Sequence, residues 1–139
     1  MAYWLFKSEP EAWSWDRQKA KGAKGEPWSG VRNFQAAANL KKMKAGDRAF
    51  FYHSGEGPQI VGIAEIVKEA YPDPGDKEGR FVMVDVKPVE PVKTPVSLAA
   101  IKAEKALADF ALVRQSRLSV VPVAAEEWRL ICKMAGVKP

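Results

Sequence analysis

Residues 48–68, RAFFYHSGEGPQIVGIAEIVK, contain two apolar runs separated by a glycine-rich turn. The runs from Arg48 to His53 and from Gln59 to Lys68 are rich in aromatic and β-branched residues, which favour strands. The connection from Ser54 to Pro58 holds two glycines and a proline, so the pattern predicts a β-hairpin with a slightly long loop. Gly62 interrupts the second run and indicates a bulge or a close approach of another group to the backbone.

Further strands extend this hairpin into a sheet. Ala2 to Lys7 is short, aromatic and apolar, which predicts a buried strand. The alternating valines of residues 82–86 share one face of another strand because side chains in a strand repeat every two residues. Three prolines between residues 88 and 95 follow, so we expect that segment to be extended at a sheet edge. Leu118 to Val123 predicts the last strand.

Local signals mark two helices and a loop in the first third of the chain. Ser8-Glu9-Pro10 predicts a helix start, and we expect this helix to reach about Lys19. Residues 21–27 have two glycines and a proline without apolar periodicity, so we expect a mobile surface loop that leads to Trp28. Asn33 predicts the N-cap of the second helix. The face that this helix is expected to present to the core comprises Phe34, Ala37 and Ala38.

The second half of the chain adds more short helices. Ser97 predicts the N-cap of one helix, and Gly136 is placed to end another. Strands separated by short helices, without regular βαβ alternation, predict an α+β fold. We expect a mixed, partly antiparallel sheet that curls toward a barrel and is flanked by short helices. The last helix is expected to bury the spaced residues Trp128, Ile131, Cys132 and Ala135.

Composition limits the class of protein. The chain has 139 residues, 47% of them apolar and 28% charged, so we expect one globular domain over residues 1–139. No apolar run approaches the about 20 residues of a membrane span, and no secretory signal precedes the first strand. The only cysteine is Cys132, which excludes an intrachain disulfide and favours a reducing compartment, so we expect a cytosolic or nuclear protein, with the cytoplasm favoured. We also expect a monomer. The net charge of +5 favours a polyanion such as nucleic acid as partner.

No group of side chains indicates catalysis. His53 is the only histidine, and no cysteine, histidine or carboxylate lies at metal-ligand spacing from it. No serine lies in a nucleophile-elbow sequence or beside a plausible base, and the carboxylates of residues 73–78 lack the pattern of a calcium loop. The sequence therefore predicts a binding protein with no catalytic residues, no metal and no cofactor.

Aromatic residues stand close to polar and basic ones. Trp13, Trp15 and Trp28 occupy segments without a clear core pattern, and Arg32-Asn33 follows the last of them. Tryptophan side chains stack well on flat rings, whereas lysine and arginine bind phosphates. Whether the first two of these tryptophans line a pocket or belong to the core stays open from their spacing alone. The two remaining tryptophans, Trp4 and Trp128, are expected in the core.

Six blocks of sequence are more specific than these signals. They are residues 3–10 (YWLFKSEP), 28–36 (WSGVRNFQA), 51–54 (FYHS), 61–66 (VGIAEI), 69–73 (EAYPD) and 112–120 (LVRQSRLSV). In this order, across nearly the full chain, they resemble the EVE domain family. The resemblance implies a PUA-like fold related to that of YTH domains, which read methylated adenine in RNA.

The same resemblance implies a function. It points to a non-catalytic reader of a modified nucleobase, with modified cytosine in DNA as the favoured ligand. The compact chain is similar to the stand-alone bacterial form of the family. An RNA-binding module associated with RNA modification or translation remains the alternative, because PUA-like domains commonly hold structured RNA beside an enzyme.

The resemblance also implies which residues bind the base. Trp28 lies at a position similar to one cage tryptophan of the YTH relatives and would provide a flat apolar wall. Arg32, Arg114 and Arg117 would meet phosphates or brace that wall. The residues implied to line the pocket and to hydrogen-bond base edges are Lys7, Ser8, Ser29, Asn33, Tyr52, His53 and Ser54.

The chain departs from the family pattern at two places. Phe34 stands where tyrosine is common, which removes a hydroxyl group. Ala124-Ala125 replaces the usual capping residues before Glu126, which is expected to weaken the start of the last helix by about 1 kcal/mol.

Overall fold

A computed structural model describes residues 1–139 and has the predicted α+β composition. Its centre is one curled, mixed sheet of six strands, which stays open rather than closing into a barrel. The strands lie in the order β2-β5-β4-β3-β1-β6. Their bounds are β1 Tyr3–Ser8, β2 Glu26–Trp28, β3 Arg48–His53, β4 Gln59–Pro72, β5 Val82–Ser97 and β6 Val120–Val123.

The predicted hairpin forms the middle of this sheet. Strands β3 and β4 pair antiparallel from Arg48 opposite Glu65 to His53 opposite Gln59, with a register shift after Phe51. On its other side β3 pairs with β1 in parallel, and this is the only parallel pair in the sheet. Because β1 and β3 run side by side in the same direction, Ser8 lies opposite His53 at the end of both strands.

Gly62 marks a close approach, as predicted. A Cβ atom at this position would lie 2.6 Å from three ring carbons of Trp15. Any side chain here would therefore displace the indole, which is 5% exposed. The Trp15 indole thus packs directly on the backbone of β4 at Gly62.

The first helix begins later than predicted. Helix α1 spans Trp15–Lys21 and is capped by Ser14, whose Oγ accepts a hydrogen bond of 3.1 Å from the backbone N–H of Arg17. Ser8 still belongs to β1, and its hydroxyl donates to the Trp13 carbonyl at 2.6 Å. The Ser8-Glu9-Pro10 signal was misleading because these residues open a turn, and Ser14 supplies the cap instead.

The expected mobile loop at residues 21–27 is largely ordered secondary structure. Gly22–Lys24 forms a turn of 3₁₀ helix, and Glu26–Trp28 is the edge strand β2, antiparallel to β5. Gly25 has a φ of 76°, and a Cβ atom there would lie 2.9 Å from the Val86 carbonyl oxygen. Gly25 therefore allows the chain to lie close against β5.

The second helix, α2 (Phe34–Lys42), is capped as predicted, but its buried face differs. The Asn33 Oδ1 accepts a hydrogen bond of 2.9 Å from the Ala36 N–H. The helix packs so that Phe34 and Ala38 are exposed, which contradicts two of the three residues expected in its core face. The side chains that α2 buries are Ala36, Ala37, Asn39 and Leu40.

The proline-rich segment agrees with its expected edge position. Beyond Val86, β5 has no strand on the side away from β4, because β2 pairs only with residues 84–86. The three prolines therefore lie where β5 needs no second ladder of hydrogen bonds. Ser97 caps α3 (Leu98–Ala103) as predicted, its Oγ accepting from Ala100 N–H at 3.0 Å.

Thirty buried residues form one core cluster, which includes Trp4 and Trp128 as expected. The Trp128 indole stacks with the rings of Phe50, at 4.0 Å, and Tyr3, at 4.5 Å. Trp4 donates from Nε1 to the buried carboxylate of Asp47 at 3.1 Å. The remaining helices are α4 (Ala111–Arg114) and α5 (Ala125–Ala135), the latter burying the four predicted side chains and ending at Gly136 with a φ of 73°.

The start of α5 offers a stability test. Ala124 has the extended backbone of an N-cap but no side chain to accept a hydrogen bond, and only the Glu127 carboxylate returns to its N–H, at 2.8 Å. Ala124→Ser should raise the free energy of unfolding by about 1 kcal/mol, because a serine hydroxyl would accept from a free helical N–H. Urea unfolding measures this. Ala125→Ser, one residue inside the helix, is the control, and an equal gain from both variants would contradict the capping explanation.

Candidate binding site

A cleft of about 400 Å³ opens where the end of β1 meets β2 and the turn before α1. We call it the tryptophan cleft, because two of the five tryptophans of the chain line it. Its wall combines aromatic, hydroxyl and charged groups. The lining residues are Lys7, Ser8, Glu9, Ala12, Trp13, Glu26, Pro27, Trp28 and Ser29.

Trp28 is held in place by rings beneath it. As the last residue of β2 it pairs with Val84, and its indole lies 4.9 Å from the ring of Phe6 and 5.6 Å from that of Phe51. The contact with Phe51 is edge-to-face, with an interplanar angle of 87°. Such aromatic pairs add about 0.5–1.5 kcal/mol beyond the burial of their area. Trp28 is only half-buried, so part of a firmly supported ring remains open to the cleft.

The structure separates the two tryptophans whose roles the sequence left open. Trp13 is half-buried in the tryptophan cleft, and its Nε1 donates to the Gln18 side-chain oxygen at 2.9 Å. Gln18 is fully buried and donates in turn to the Val86 carbonyl at 3.1 Å. Trp15, by contrast, is a core residue packed on Gly62 and on Phe51, whose ring centroid lies 5.3 Å away.

Lys7 brings a positive charge to this cleft. Its Nζ donates to the Ser116 carbonyl at 2.8 Å, and partial burial lowers the pKa of the Lys7 ammonium. A desolvated ammonium gains more than an exposed one when an anionic group approaches, because less water has to be displaced. The carboxylate of Glu26, on the same wall, is already in an ion pair with Lys21 at 3.4 Å.

A second cleft of about 380 Å³ lies between the start of α2 and the segment between α4 and β6. We call it the glutamine cleft, because Gln35 donates to the Gln115 side-chain oxygen across it at 2.7 Å. Lys7 links the two clefts through its bond to Ser116. The residues that line the glutamine cleft are Asn33, Gln35, Arg114, Gln115, Ser116, Arg117 and Leu118.

Arg32 is engaged in a bracing ion pair. Its Nη1 donates to Asp73 Oδ2 at 3.0 Å, and the same carboxylate accepts from the N–H groups of Gly30 and Gly75 at 2.9 and 2.8 Å. Burial alone would raise the pKa of Asp73, but these hydrogen bonds outweigh it and hold that pKa below its usual range. Asp73 thereby fixes the loop that follows Trp28.

Tyr52, His53 and Ser54 do not line the tryptophan cleft. Tyr52 is 3% exposed and belongs to the core cluster. The His53 Nε2 accepts a hydrogen bond of 3.0 Å from Trp15 N–H, which requires an unprotonated Nε2, and burial lowers the pKa of the imidazole. The N–H of Ser54 donates to the Ser8 carbonyl at 2.9 Å, so this turn holds the end of β1.

The residues implied as a site by the sequence therefore fall into three groups. Lys7, Ser8, Trp28 and Ser29 meet in the tryptophan cleft, whereas Asn33, Arg114 and Arg117 line the glutamine cleft. The four others, Arg32 and residues 52–54, line neither cleft. Sequence reasoning missed the cleft residues Glu9, Ala12, Glu26, Pro27, Gln35, Gln115, Ser116 and Leu118, although the first four adjoin the implied residues along the chain or lie in the unrecognised strand β2.

The chain contains no group of three or more His, Cys, Asp or Glu side chains that could hold a metal ion. None of its helices combines the length and the apolar character needed to cross a membrane. The single cysteine, Cys132, is buried in α5, and burial raises the pKa of its thiol to about 11.

Comparison with known proteins shows the family. A family model described as EVE domain matches residues 2–134. Mouse thymocyte nuclear protein 1 is 38% identical over an alignment of 169 positions, gaps included, which covers 99% of this chain and 75% of the mouse protein. An NMR structure of a protein from Rhodopseudomonas palustris is 65% identical, with a TM-score of 0.93 over 98% of this chain and 94% of that one.

Two further structures are complexes with nucleic acid. Human THYN1, crystallised in complex with DNA containing 5-methylcytosine, is 36% identical with a TM-score of 0.91, and the match covers 100% of both chains. The YTH domain of Zygosaccharomyces rouxii MRB1, in complex with N6-methyladenosine RNA, has a TM-score of 0.60 over 99% of this chain and 86% of that one. At 19% identity this likeness concerns the fold alone. The family model spans nearly the whole chain and the relatives match it over nearly its full length, so this protein belongs to the EVE domain family.

Proposed function

We propose that this protein is a non-catalytic binding module that holds a modified base of a nucleic acid, with modified cytosine in DNA favoured, in the tryptophan cleft. The observation that carries the proposal is the half-open ring of Trp28, fixed on Phe6 and Phe51 at the wall of a cleft that also contains Lys7. The relation to human THYN1, whose structure contains 5-methylcytosine DNA, supports this ligand class.

The size and the chemistry of the cleft suit a single flat base. Its volume of about 400 Å³ falls at the small end of the range of about 300–1,000 Å³ for ligand clefts. Trp13 and Trp28 supply aromatic surface, and base-aromatic stacking contributes about 1–3 kcal/mol per base. A methyl group on the base would add apolar contact to the same rings. Capture of one base from a duplex requires that it be flipped out of the stack.

Polar groups around the rings are available for the edge of the base and for its phosphate. The Ser8 hydroxyl donates to Trp13 and keeps its lone pairs as acceptors, and Ser29 is exposed. An ammonium has three donors, of which Lys7 spends one on the Ser116 carbonyl. Two donors of Lys7 therefore remain for an anionic oxygen.

The polynucleotide backbone would continue past Lys7 into the glutamine cleft. Arg117 and Arg114 are exposed there, and Arg114 pairs only with the exposed carboxylate of Asp109 at 2.7 Å. Exposed pairs contribute little and exchange readily, so phosphate oxygens can replace that partner. The net charge of +5 adds attraction for a polyanion.

We assign no catalytic role to Ser8 or His53, because both side chains are already engaged in hydrogen bonds within the fold. His53 Nε2 accepts from the Trp15 N–H, and the Ser8 hydroxyl donates to backbone carbonyls, so no base takes the serine proton. Both groups hold the local fold together.

The removal of the Trp28 ring tests the base pocket. Trp28→Leu keeps an apolar side chain on Phe6 but removes the stacking surface, so affinity for an oligonucleotide with one 5-methylcytosine should fall about five- to 150-fold. Calorimetric titration with methylated, hydroxymethylated, N6-methyladenine and unmodified oligonucleotides measures it. Val67→Ala, at another partly exposed apolar residue, is the control.

Two results would contradict this proposal. One is equal affinity of the wild-type protein for all these oligonucleotides, unchanged by Trp28→Leu. The other is a strong preference for transfer RNA over modified DNA in direct competition, which would favour the alternative of an RNA-binding module associated with RNA modification or translation.

The salt dependence of the binding affinity tests the role of the Lys7 charge. Lys7→Met should weaken binding of the methylated oligonucleotide and reduce the slope of log affinity against log salt concentration by about 1, because one fewer phosphate is neutralised. Fluorescence anisotropy over a range of salt concentrations measures this slope. Lys105→Met is the control, because it removes an exposed charge that lies outside both clefts. An unchanged slope for Lys7→Met would show that Lys7 does not contact a phosphate of the bound nucleic acid.

A further inference from the structure

Phe34 is the only aromatic residue among the exposed large apolar side chains, with 66% of its surface open. It is the first residue of α2, and its ring stacks on that of Phe81 at 5.1 Å and 28°. Phe81 itself is 6% exposed. The pair therefore has a buried ring as support and an open ring above it, and neither belongs to the tryptophan cleft or the glutamine cleft.

Two guanidinium groups accompany these rings. Arg80 Cζ lies 5.9 Å from the centroids of both Phe34 and Phe81, and Arg32 Cζ lies 5.5 Å from that of Phe81. Guanidinium groups at such distances are attracted by the ring faces. We call Phe34, Phe81, Arg80 and Arg32 the phenylalanine platform.

The carboxylates near the platform are already occupied. Asp73 is bonded to Arg32 and two backbone N–H groups, and Asp76 accepts from the backbone N–H groups of residues 78, 80 and 81. Glu78 is paired with Arg80, with both side chains more than half exposed. An anion that approaches Arg80 would therefore compete only with an exposed ion pair, which costs little to open.

The platform is tied to the loop that follows Trp28. Asp73 donates from its N–H to the Phe81 carbonyl at 3.2 Å, and its carboxylate holds Gly30 and Arg32. One buried residue thus fixes both the support of Phe34 and the chain between Trp28 and α2. The position of the platform relative to the tryptophan cleft is set by this bond network.

The surroundings of Phe34 suit a flat ring better than a protein surface. Its exposed neighbours Arg32, Asn33, Gln35 and Arg80 are polar, and the exposed Ala38, one helical turn further along α2, adds only a methyl group, so the apolar area is little more than one ring. Stable protein interfaces bury about 800 Å² on each partner around an apolar centre, which this patch does not provide. A stacked ring pair with adjacent guanidinium groups is instead the arrangement that takes up bases of single-stranded nucleic acid.

We propose that the phenylalanine platform stacks a second base of the same nucleic acid, near the base held in the tryptophan cleft, while Arg80 meets a neighbouring phosphate. This inference rests on the proposed function and extends it. The protein would then hold a bound strand at two bases, one captured in the cleft and one resting on Phe34.

The test uses oligonucleotides with one 5-methylcytosine and a 2-aminopurine placed in turn at each flanking position. Stacking on Phe34 should quench 2-aminopurine at one flanking position with the wild-type protein and with Phe34→Tyr, which keeps a ring. Phe34→Leu should restore that fluorescence and lower affinity about five- to 150-fold. Because Phe34 is exposed, its substitution by leucine should leave the thermal unfolding midpoint near that of the wild type.

The outcomes distinguish this inference from the proposed function. Two results would overturn the platform proposal alone, provided that Trp28→Leu still loses binding. One is a Phe34→Leu variant that binds with wild-type affinity. The other is that 2-aminopurine fluorescence at no flanking position changes in this variant. If the wild-type protein does not prefer methylated oligonucleotides and Trp28→Leu changes nothing, the proposed function fails, and the platform fails with it. Arg80→Gln provides a second arm, with a smaller loss of affinity and a lower salt slope expected.

Discussion

The candidate site depends on the contact between the Trp15 indole and the bare backbone of Gly62. That contact seats Trp15 against Phe51, and Phe51 in turn meets Trp28 edge-to-face. His53 also holds Trp15 in place, because the His53 Nε2 accepts a hydrogen bond from the Trp15 backbone N–H. A row of aromatic rings thus runs from the middle of the sheet to the cleft wall, and a methyl group added at Gly62 would disturb it at its base.

Signals that are local in sequence predicted most elements. The hairpin, the Asn33 and Ser97 caps and the last helix all depend on residues a few positions apart, and each is present. Strand β2 was missed because three residues containing a proline have no strand signal of their own, and their partner in β5 is more than fifty residues away. The exposure of Phe34 could not be predicted from helical spacing, since helix packing against the sheet decides it.

The same distinction holds for the site. Family resemblance brought together residues that proved to be neighbours in space, such as Lys7 and Trp28, but spacing could not tell a cleft wall from the layer behind it. Tyr52 is buried in the core and His53, partly buried at the end of the same strand, accepts from the Trp15 N–H, whereas Trp13 lies in the turn that precedes α1 and lines the cleft. Arg32 was implied as a phosphate ligand or a brace, and its bond to Asp73 corresponds to the second of these roles.

The open sheet has a consequence for the behaviour of many copies in one solution. Its two outermost strands, β2 and β6, each carry a proline, Pro27 and Pro122, and β5 carries three more in the part that pairs with no second strand. A proline offers no N–H to a neighbouring chain, so these margins are poor templates for intermolecular strand pairing. The fold can therefore leave its sheet unclosed at both ends and still resist growth into aggregated β-structure at high concentration.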